Sequence, residues 1–179
     1  MNKIFMLGAI ALAAGGCHQD HHGGGGHSDP WQVTYSNGHP VTAEAESAYI
    51  LDKENEMVDL INLDRALMGL NVLIHSPAIS DVARGHSVHM AMSDFTGSWN
   101  LEGDGPADRA ILAGLFFNRY SENTSAGLSD PVDVFNNWML LPAMHDNLHD
   151  IWWDRIGCGY EEDAYSTFGS YWTVDFLED

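Results

Sequence analysis

The segment NNWMLLPAMHDNLHD, residues 136–150, is the stretch around which the chain is organised. Its apolar first half reads as the end of a helix, which Pro142 interrupts because proline lacks the amide hydrogen that helical bonding needs. Three residues later His145 stands among polar neighbours. An imidazole just after a packed helix is held firmly and stays open to a cleft, which is typical of a binding or catalytic site.

Two further polar segments complete the predicted site. Glu122 lies in the run YSEN at 120–123, and Ser98 and Glu102 lie in the run GSWNLE at 97–102. We expect these three side chains to line one cleft with His145. The convergence of Glu122 and His145 is the condition on which we rest both the fold assignment and the site.

Length, composition and charge exclude several classes of protein. The 179 residues suffice for one domain with a real core, and 45% of them are hydrophobic. The formal charge of -19, from 26 acidic and 7 basic residues, excludes nucleic acid as a partner, because phosphate binding needs clustered lysine and arginine. An anionic membrane surface is disfavoured for the same reason. Cationic partners, metal ions and neutral ligands remain.

The first 16 residues predict a signal peptide. Lys3 supplies the positive start, an apolar run follows at 4–14, and two glycines precede Cys17. A cysteine in this position resembles the cleavage box of bacterial lipoproteins, so we expect Cys17 to be lipidated; ordinary secretion is the alternative. His18 after the cysteine resembles the signal that sorts lipoproteins to an outer membrane. The predicted location is therefore the bacterial cell envelope. Apart from the lipid on Cys17, we expect no contact with a membrane.

Residues 17–42 predict a flexible tether, because the glycines and histidines at 18–30 cannot bury enough apolar surface to order the chain. His18, His21, His22 and His27 could bind metal, though only adventitiously. If Cys17 is lipidated, Cys158 has no disulfide partner within the chain. Its position between two glycines of a predicted strand favours a small buried apolar role over a reactive thiol.

Residues 43–179 predict one α+β domain, in which helices precede strands. Helical spacing of apolar residues predicts a first helix over 52–68, and a cap followed by proline predicts helices that begin at Pro77 and Pro131. Pro106 opens a short helix that ends at Gly114. The tail predicts two antiparallel strands, over 155–160 and 170–176. No repeat and no membrane-spanning stretch is present in the sequence.

The order of several motifs resembles the CAP superfamily of cysteine-rich secretory, venom-allergen and pathogenesis-related proteins, in its bacterial form. The resemblance covers about residues 52–176 and rests on LDR at 63–65, WN at 99–100, SEN at 121–123, WM at 138–139, IG at 156–157 and YWTVDF at 171–176. It implies a three-layer α-β-α sandwich with a central, mainly antiparallel sheet and a cleft over that sheet.

The resemblance also implies a site of two histidines and two acids. By position, His145 matches the second histidine, Glu122 the second acid and Glu102 the first acid. Ser98 stands where the first histidine belongs, and a hydroxyl is a poor zinc ligand. Glu102, Glu122 and His145 could still hold a divalent ion such as zinc loosely.

Three functions fit these residues. The cleft could bind a small ligand, a lipid or a weakly held metal, as the resemblance implies. Glu122 could orient His145 to activate water or Ser98 for hydrolysis, although no Gly-x-Ser-x-Gly motif surrounds Ser98. Finally, the site could be degenerate, with the surface contacting a protein partner. We expect a monomer that acts without catalysis.

Overall fold

The fold contains five helices and two sheets, one large and one small, within the residues that the computed structural model describes, namely 35–36, 39–40 and 43–179. The predicted signal peptide, Cys17 and the segment rich in glycine and histidine lie outside these residues. In chain order the elements are β1 (Tyr35–Ser36), β2 (His39–Pro40), α1 (Ala43–Leu67), β3 (Ile74–His75), α2 (Pro77–Ser93), α3 (Pro106–Leu112), β4 (Arg119–Ala126), α4 (Pro131–Leu140), α5 (Pro142–Leu148), β5 (Arg155–Glu162) and β6 (Ser170–Glu178).

Proline begins four of the five helices, since its missing amide hydrogen costs nothing at a first helical position. At α4 the Asp130 carboxylate accepts hydrogen bonds from the backbone N–H of Val132 and Asp133, as a cap should. Pro142 both follows the end of α4 and opens α5. His145 therefore lies inside a second, short helix, whereas the sequence predicted only that it follows the end of a packed helix.

The larger sheet has the strand order β3-β5-β6-β4. Strands β5 and β6 pair antiparallel, which confirms the strand pair predicted for the tail, and β4 pairs antiparallel with β6. Only the two-residue β3 runs parallel to its neighbour. The smaller sheet pairs β1 with β2, inside the segment predicted as a tether. The central sheet is thus mainly antiparallel, as predicted.

Helices cover both faces of the large sheet and make three layers. On one face α1, α4 and α5 pack against a large apolar core; on the other lie α2 and α3. Because side chains alternate along a strand, Ile156, Cys158, Val174 and Phe176 all enter that core. Cys158 is fully buried, which raises the pKa of its thiol. The α-β-α sandwich confirms the predicted fold class.

Helix α2 lies directly on the backbone of β5, where two glycines make room for it. A Cβ atom added to Gly159 would lie 2.1 Å from the backbone nitrogen of Arg84, and one added to Gly157 would lie 2.3 Å from that of Ser80. No side chain fits in that space. The absence of a side chain at these two positions therefore allows α2 to approach the sheet this closely.

Arg65 is a fully buried cation that joins the end of α1 to two later segments. Its guanidinium donates hydrogen bonds to the carbonyl oxygens of Leu148, at 2.8 Å, and Asp150, at 3.0 Å. It also donates to both the carbonyl and the side-chain oxygen of Asn71. Every contact is an acceptor, so the buried charge is well satisfied.

Among the described helices, none is long and apolar enough to cross a membrane.

Candidate functional site

A cluster of buried polar side chains lies between the sheet and helices α2 and α3. Strand β4 directs Glu122 toward these helices, and the register places Asp175 of β6 directly beside it. The Glu122 carboxylate is 0% exposed and accepts a hydrogen bond from the Arg109 guanidinium of α3. Arg109 also donates to the carbonyl oxygen of Ser98, at 2.8 Å. We call His86, Ser98, Arg109, Glu122 and Asp175 the buried polar cluster.

His86 reaches this cluster from α2. Its Nε2 donates to the carbonyl oxygen of Gly97 at 2.8 Å and lies 3.9 Å from a carboxylate oxygen of Glu122. Burial, helped by the charge of Arg109, lowers the pKa of His86 to about 4. The imidazole is therefore neutral at physiological pH. Its Nδ1 is buried and makes no hydrogen bond to any described residue.

The two acids of the cluster share one buried environment. Burial raises the pKa of Glu122, while Arg109 and the Ser98 hydroxyl oppose that rise. Burial and the charge of Glu122 raise the pKa of Asp175 well above its usual range. Neither carboxylate oxygen of Asp175 meets hydrogen-bond geometry with a described residue, although the Tyr120 hydroxyl is close. Arg109 thus favours the charged form of Glu122, whereas burial favours the neutral form of Asp175.

Of the four side chains predicted to converge, the structure brings two together. Ser98 and Glu122 both belong to the buried polar cluster. Glu102 is 63% exposed and lies 3.7 Å from Nε2 of His89, on the surface. His145 lies elsewhere.

His145 is on the opposite face of the sheet from the Glu122 carboxylate. It belongs to α5, which packs with α1 and α4, and its ring lies 4.3 Å from that of His149. The His149 ring in turn bonds to Asp64 of α1 at 2.6 Å. The His145 side chain is 39% exposed. The predicted convergence of Glu122 and His145 was therefore wrong. The fold does not depend on it.

An open groove of about 640 Å³ runs along the outer edge of β4. One wall is residues 119–123 of the strand, and α5 and the turn that follows it form the other. Asn123 is buried and donates to the carbonyl oxygen of Met144 at 3.1 Å, while Asn147 donates to the Asn123 side chain at 3.0 Å. These amide contacts hold α5 beside the strand. We call this space the β4–α5 groove.

A zinc ion does not fit the residues that the resemblance singles out. Arg109 already contacts the Glu122 carboxylate, and its positive charge would repel a cation. Ser98 offers no imidazole, and His145 is on the other face. The described residues contain no group of three or more histidine, cysteine or acidic side chains placed to share an ion.

Three residues of the buried polar cluster, His86, Arg109 and Asp175, are not among the site residues that the sequence predicted. The sequence does contain a signal for Asp175. Its carboxylate lies within the apolar run YWTVDFL, and an acid is rarely buried without a partner.

The sequence matches the model of one known protein family. A model of the "Cysteine-rich secretory protein family" (CAP) matches residues 58–176, more than half of the chain. No protein of curated function matches it.

Three solved structures share the fold. An extracellular protein from Bacillus anthracis that contains an SCP domain is 22% identical, with a TM-score of 0.70 over 78% of this chain and 45% of its own. An outer surface protein of Borrelia burgdorferi is 20% identical, with a TM-score of 0.64 over 69% of this chain and 90% of its own. A cysteine-rich secretory protein of Staphylococcus aureus is 18% identical, with a TM-score of 0.60 over 78% of this chain and 40% of its own. The chain thus spans less than half the length of two of them.

Proposed function

The chain belongs to the cysteine-rich secretory protein (CAP) family, and on that premise we propose that it is an exported protein of the bacterial cell envelope that binds a ligand without catalysing a reaction. Export is supported by the predicted signal peptide. Two of the structural neighbours are described as an extracellular and an outer surface protein, which agrees with export.

Attachment through a lipid on Cys17 is part of the proposal. It is motivated by the small residues before the cysteine and by His18 after it. Mass spectrometry of the mature protein should find acylated Cys17 as its first residue. A mature chain that starts elsewhere would leave ordinary secretion as the route.

The state of Glu122 is the observation that carries the non-enzymatic proposal. A general base or an orienting acid must reach the group on which it acts. The Glu122 carboxylate is instead fully buried and engaged by Arg109, and His145 is on the far side of the sheet. The set of nucleophile, base and orienting acid that hydrolysis would need is therefore divided between two faces.

The β4–α5 groove is the place we propose for the ligand. It is open and is bordered by Ser121 and Asn147, and Met144, which is only partly buried, adds an apolar surface. Polar groups that converge on a concave surface can fix the orientation of a bound ligand. In this proposal the buried polar cluster does not contact the ligand. It supports β4, the strand that forms one wall of the groove.

A substitution that fills the groove tests this site. A panel of fatty acids, sterols and short peptides is screened by thermal shift against the wild-type chain and Ser121→Trp. Ser93→Trp, at an exposed position on the end of α2, serves as the matched control. We expect a ligand that raises the melting temperature of the wild type and of the Ser93 variant but not of the Ser121 variant. Equal shifts in all three proteins would place the ligand elsewhere.

A separate assay addresses catalysis. Ester and peptide substrates are offered to the wild type, Ser98→Ala and His145→Ala. We expect no turnover above that of heat-denatured protein. Turnover that either substitution abolishes would refute the non-enzymatic proposal.

Zinc titration tests whether a metal belongs to the site. The histidines of the N-terminal segment contribute equally to every variant, so only differences count. We expect the same zinc stoichiometry for the wild type, Glu102→Gln and His145→Ala. A site that either substitution removes would revive the metal-binding alternative.

A further inference from the structure

We propose that the free edge of β4 binds an extended, positively charged segment of a partner protein, which joins the sheet as an additional strand. This inference rests on the proposed function, because it names the class of ligand for the same groove. Adding a strand at an exposed sheet edge is a common way to bind peptides, since backbone groups supply the affinity.

The groove is bounded by the edge of β4 and not by one of its faces. Five consecutive residues, 119–123, line it. Neighbouring side chains of a strand point to opposite faces, so one face could supply only every second residue. Glu122 in particular has a side chain that is 0% exposed, and it borders the groove through its backbone.

The hydrogen-bond pattern decides which backbone groups face that edge. The Gly127 N–H donates to the Ser170 carbonyl at 2.9 Å, which continues the register between β4 and β6 as a hydrogen-bonded pair. Such pairs alternate along antiparallel strands. Ser121 and Asn123 therefore direct their N–H and C=O groups toward β6, whereas Tyr120 and Glu122 direct theirs away from it.

A side-chain contact further along the strand supports this assignment. Thr124 has the same parity as Glu122, and its carbonyl oxygen accepts a hydrogen bond from the indole of Trp138, which lies outside the strand pair. At Tyr120 and Glu122 no described residue bonds to the outward backbone groups. Two N–H and two C=O groups thus lie free beside an open groove, an arrangement that normally invites another strand.

Charge selects the kind of segment. Asp146, whose side chain is 83% exposed, and Asp150 lie on the wall opposite the strand. Among the described residues that line the groove, Arg119 is the only basic one, and Asp150 already pairs with it at 2.8 Å. With a formal charge of -19 on the whole chain, a cationic segment is attracted and a second copy of this chain is repelled.

The test uses a defined probe, a blocked hexapeptide of alternating lysine and valine, with the full chain. Its binding is followed by amide hydrogen exchange in NMR spectra. We expect slower exchange at the amides of Tyr120 and Glu122. The amides of Ser121 and Asn123, already bonded to β6, should change little.

Three comparisons sharpen the result. A probe methylated on alternate backbone nitrogens should bind about tenfold more weakly, because it loses two hydrogen bonds. Asp146→Lys should weaken binding of the unmodified probe about threefold at low salt. Asp59→Lys, which makes the same charge change on the exposed side of α1, should leave it unchanged.

Four outcomes overturn the inference: no binding of the probe, binding that leaves the exchange of Tyr120 and Glu122 unchanged, equal binding of the methylated probe, or a preference for a glutamate-valine peptide. Its failure is distinguishable from failure of the proposed function. A ligand that Ser121→Trp excludes, while the probe does not pair with β4, keeps the groove and removes only the added strand.

Discussion

The two faces of the large sheet are built from the same strands, yet they are held to their helices by different forces. Toward α1, α4 and α5 the strands present Ile156, Val174 and Phe176, which bury apolar surface. Toward α2 they present Gly157, Gly159 and Asp175 instead. There the helix backbone touches the sheet, and Ser87 joins it by hydrogen bonds to Gly159 and Thr173.

Because of this difference, the two faces of the sheet should contribute to stability in different ways. Burial of apolar surface is favourable whatever its exact geometry, whereas a buried polar group is favourable only when it is paired. The apolar face should therefore dominate the free energy of unfolding, and the polar face should govern how that free energy depends on pH.

Trp172→Ala should cause the largest loss, about 5 kcal/mol of unfolding free energy, because it leaves a large cavity in the apolar face. The indole is fully buried, lies 4.2 Å from the Tyr160 ring between centroids and donates to the Leu128 carbonyl. Urea denaturation measures the loss. Trp99→Ala, at a side chain that is 66% exposed, is the control and should cost no more than about 0.5 kcal/mol. Similar losses at the two sites would contradict the contrast.

Glu122→Gln should cost about 4 kcal/mol, since it leaves the Arg109 charge without its buried counter-ion. Combining it with Arg109→Met should recover much of that loss, because no charge then remains unpaired. Denaturation of the two single variants and the double variant gives the coupling energy. Additive losses would mean that the two side chains do not form the pair described here.

Acid should destabilise the wild type through His86. Its pKa is about 4 in the folded state and about 6.5 when unfolded, so the unfolded chain binds the proton first as the pH falls. Stability should decline between pH 6.5 and 4 by about 3 kcal/mol from this residue. His86→Gln should remove that decline, whereas His145→Gln, at a partly exposed ring, should not. A decline that persists in the His86 variant would assign it to other groups.

Asp175 should act in the opposite direction. Its pKa is raised in the folded state, so the folded chain keeps the proton longer and stability falls as the pH rises above about 4. The fall is about 1.4 kcal/mol for each unit by which the folded pKa exceeds the unfolded one. Asp175→Asn should flatten this part of the profile. Denaturation between pH 4 and 8 measures it, and an unchanged slope would contradict the raised pKa of Asp175.

The elements that sequence could predict are those with strong local signals. Proline after a capping residue marked the starts of α2 and α4, and Pro106 marked that of α3. Strand β4, with the sequence RYSENTSA, has no such signal, because its residues are mostly polar and do not alternate in hydrophobicity. Its pairing with β6 depends on a register that only the folded chain reveals.

The site was harder to predict than the fold, because the direction of a side chain depends on tertiary structure. The polar residues after Pro142 indicated that His145 faces a cleft together with Glu122, but α5 forms there and places the His145 ring beside that of His149, away from the Glu122 carboxylate. The contact between Arg109 and Glu122 joins residues of α3 and β4, and the sequence alone does not show that these two elements meet.

The hydrogen bonds of Arg65 give α1 an influence over a space that it does not border. The carbonyl oxygens that this guanidinium holds belong to the last residue of α5 and to the turn after it, and α5 is one wall of the β4–α5 groove. The width of the groove is therefore set partly from a distance of more than 80 positions along the chain. Ligand affinity should consequently respond to substitutions at the end of the first long helix, where no ligand makes contact.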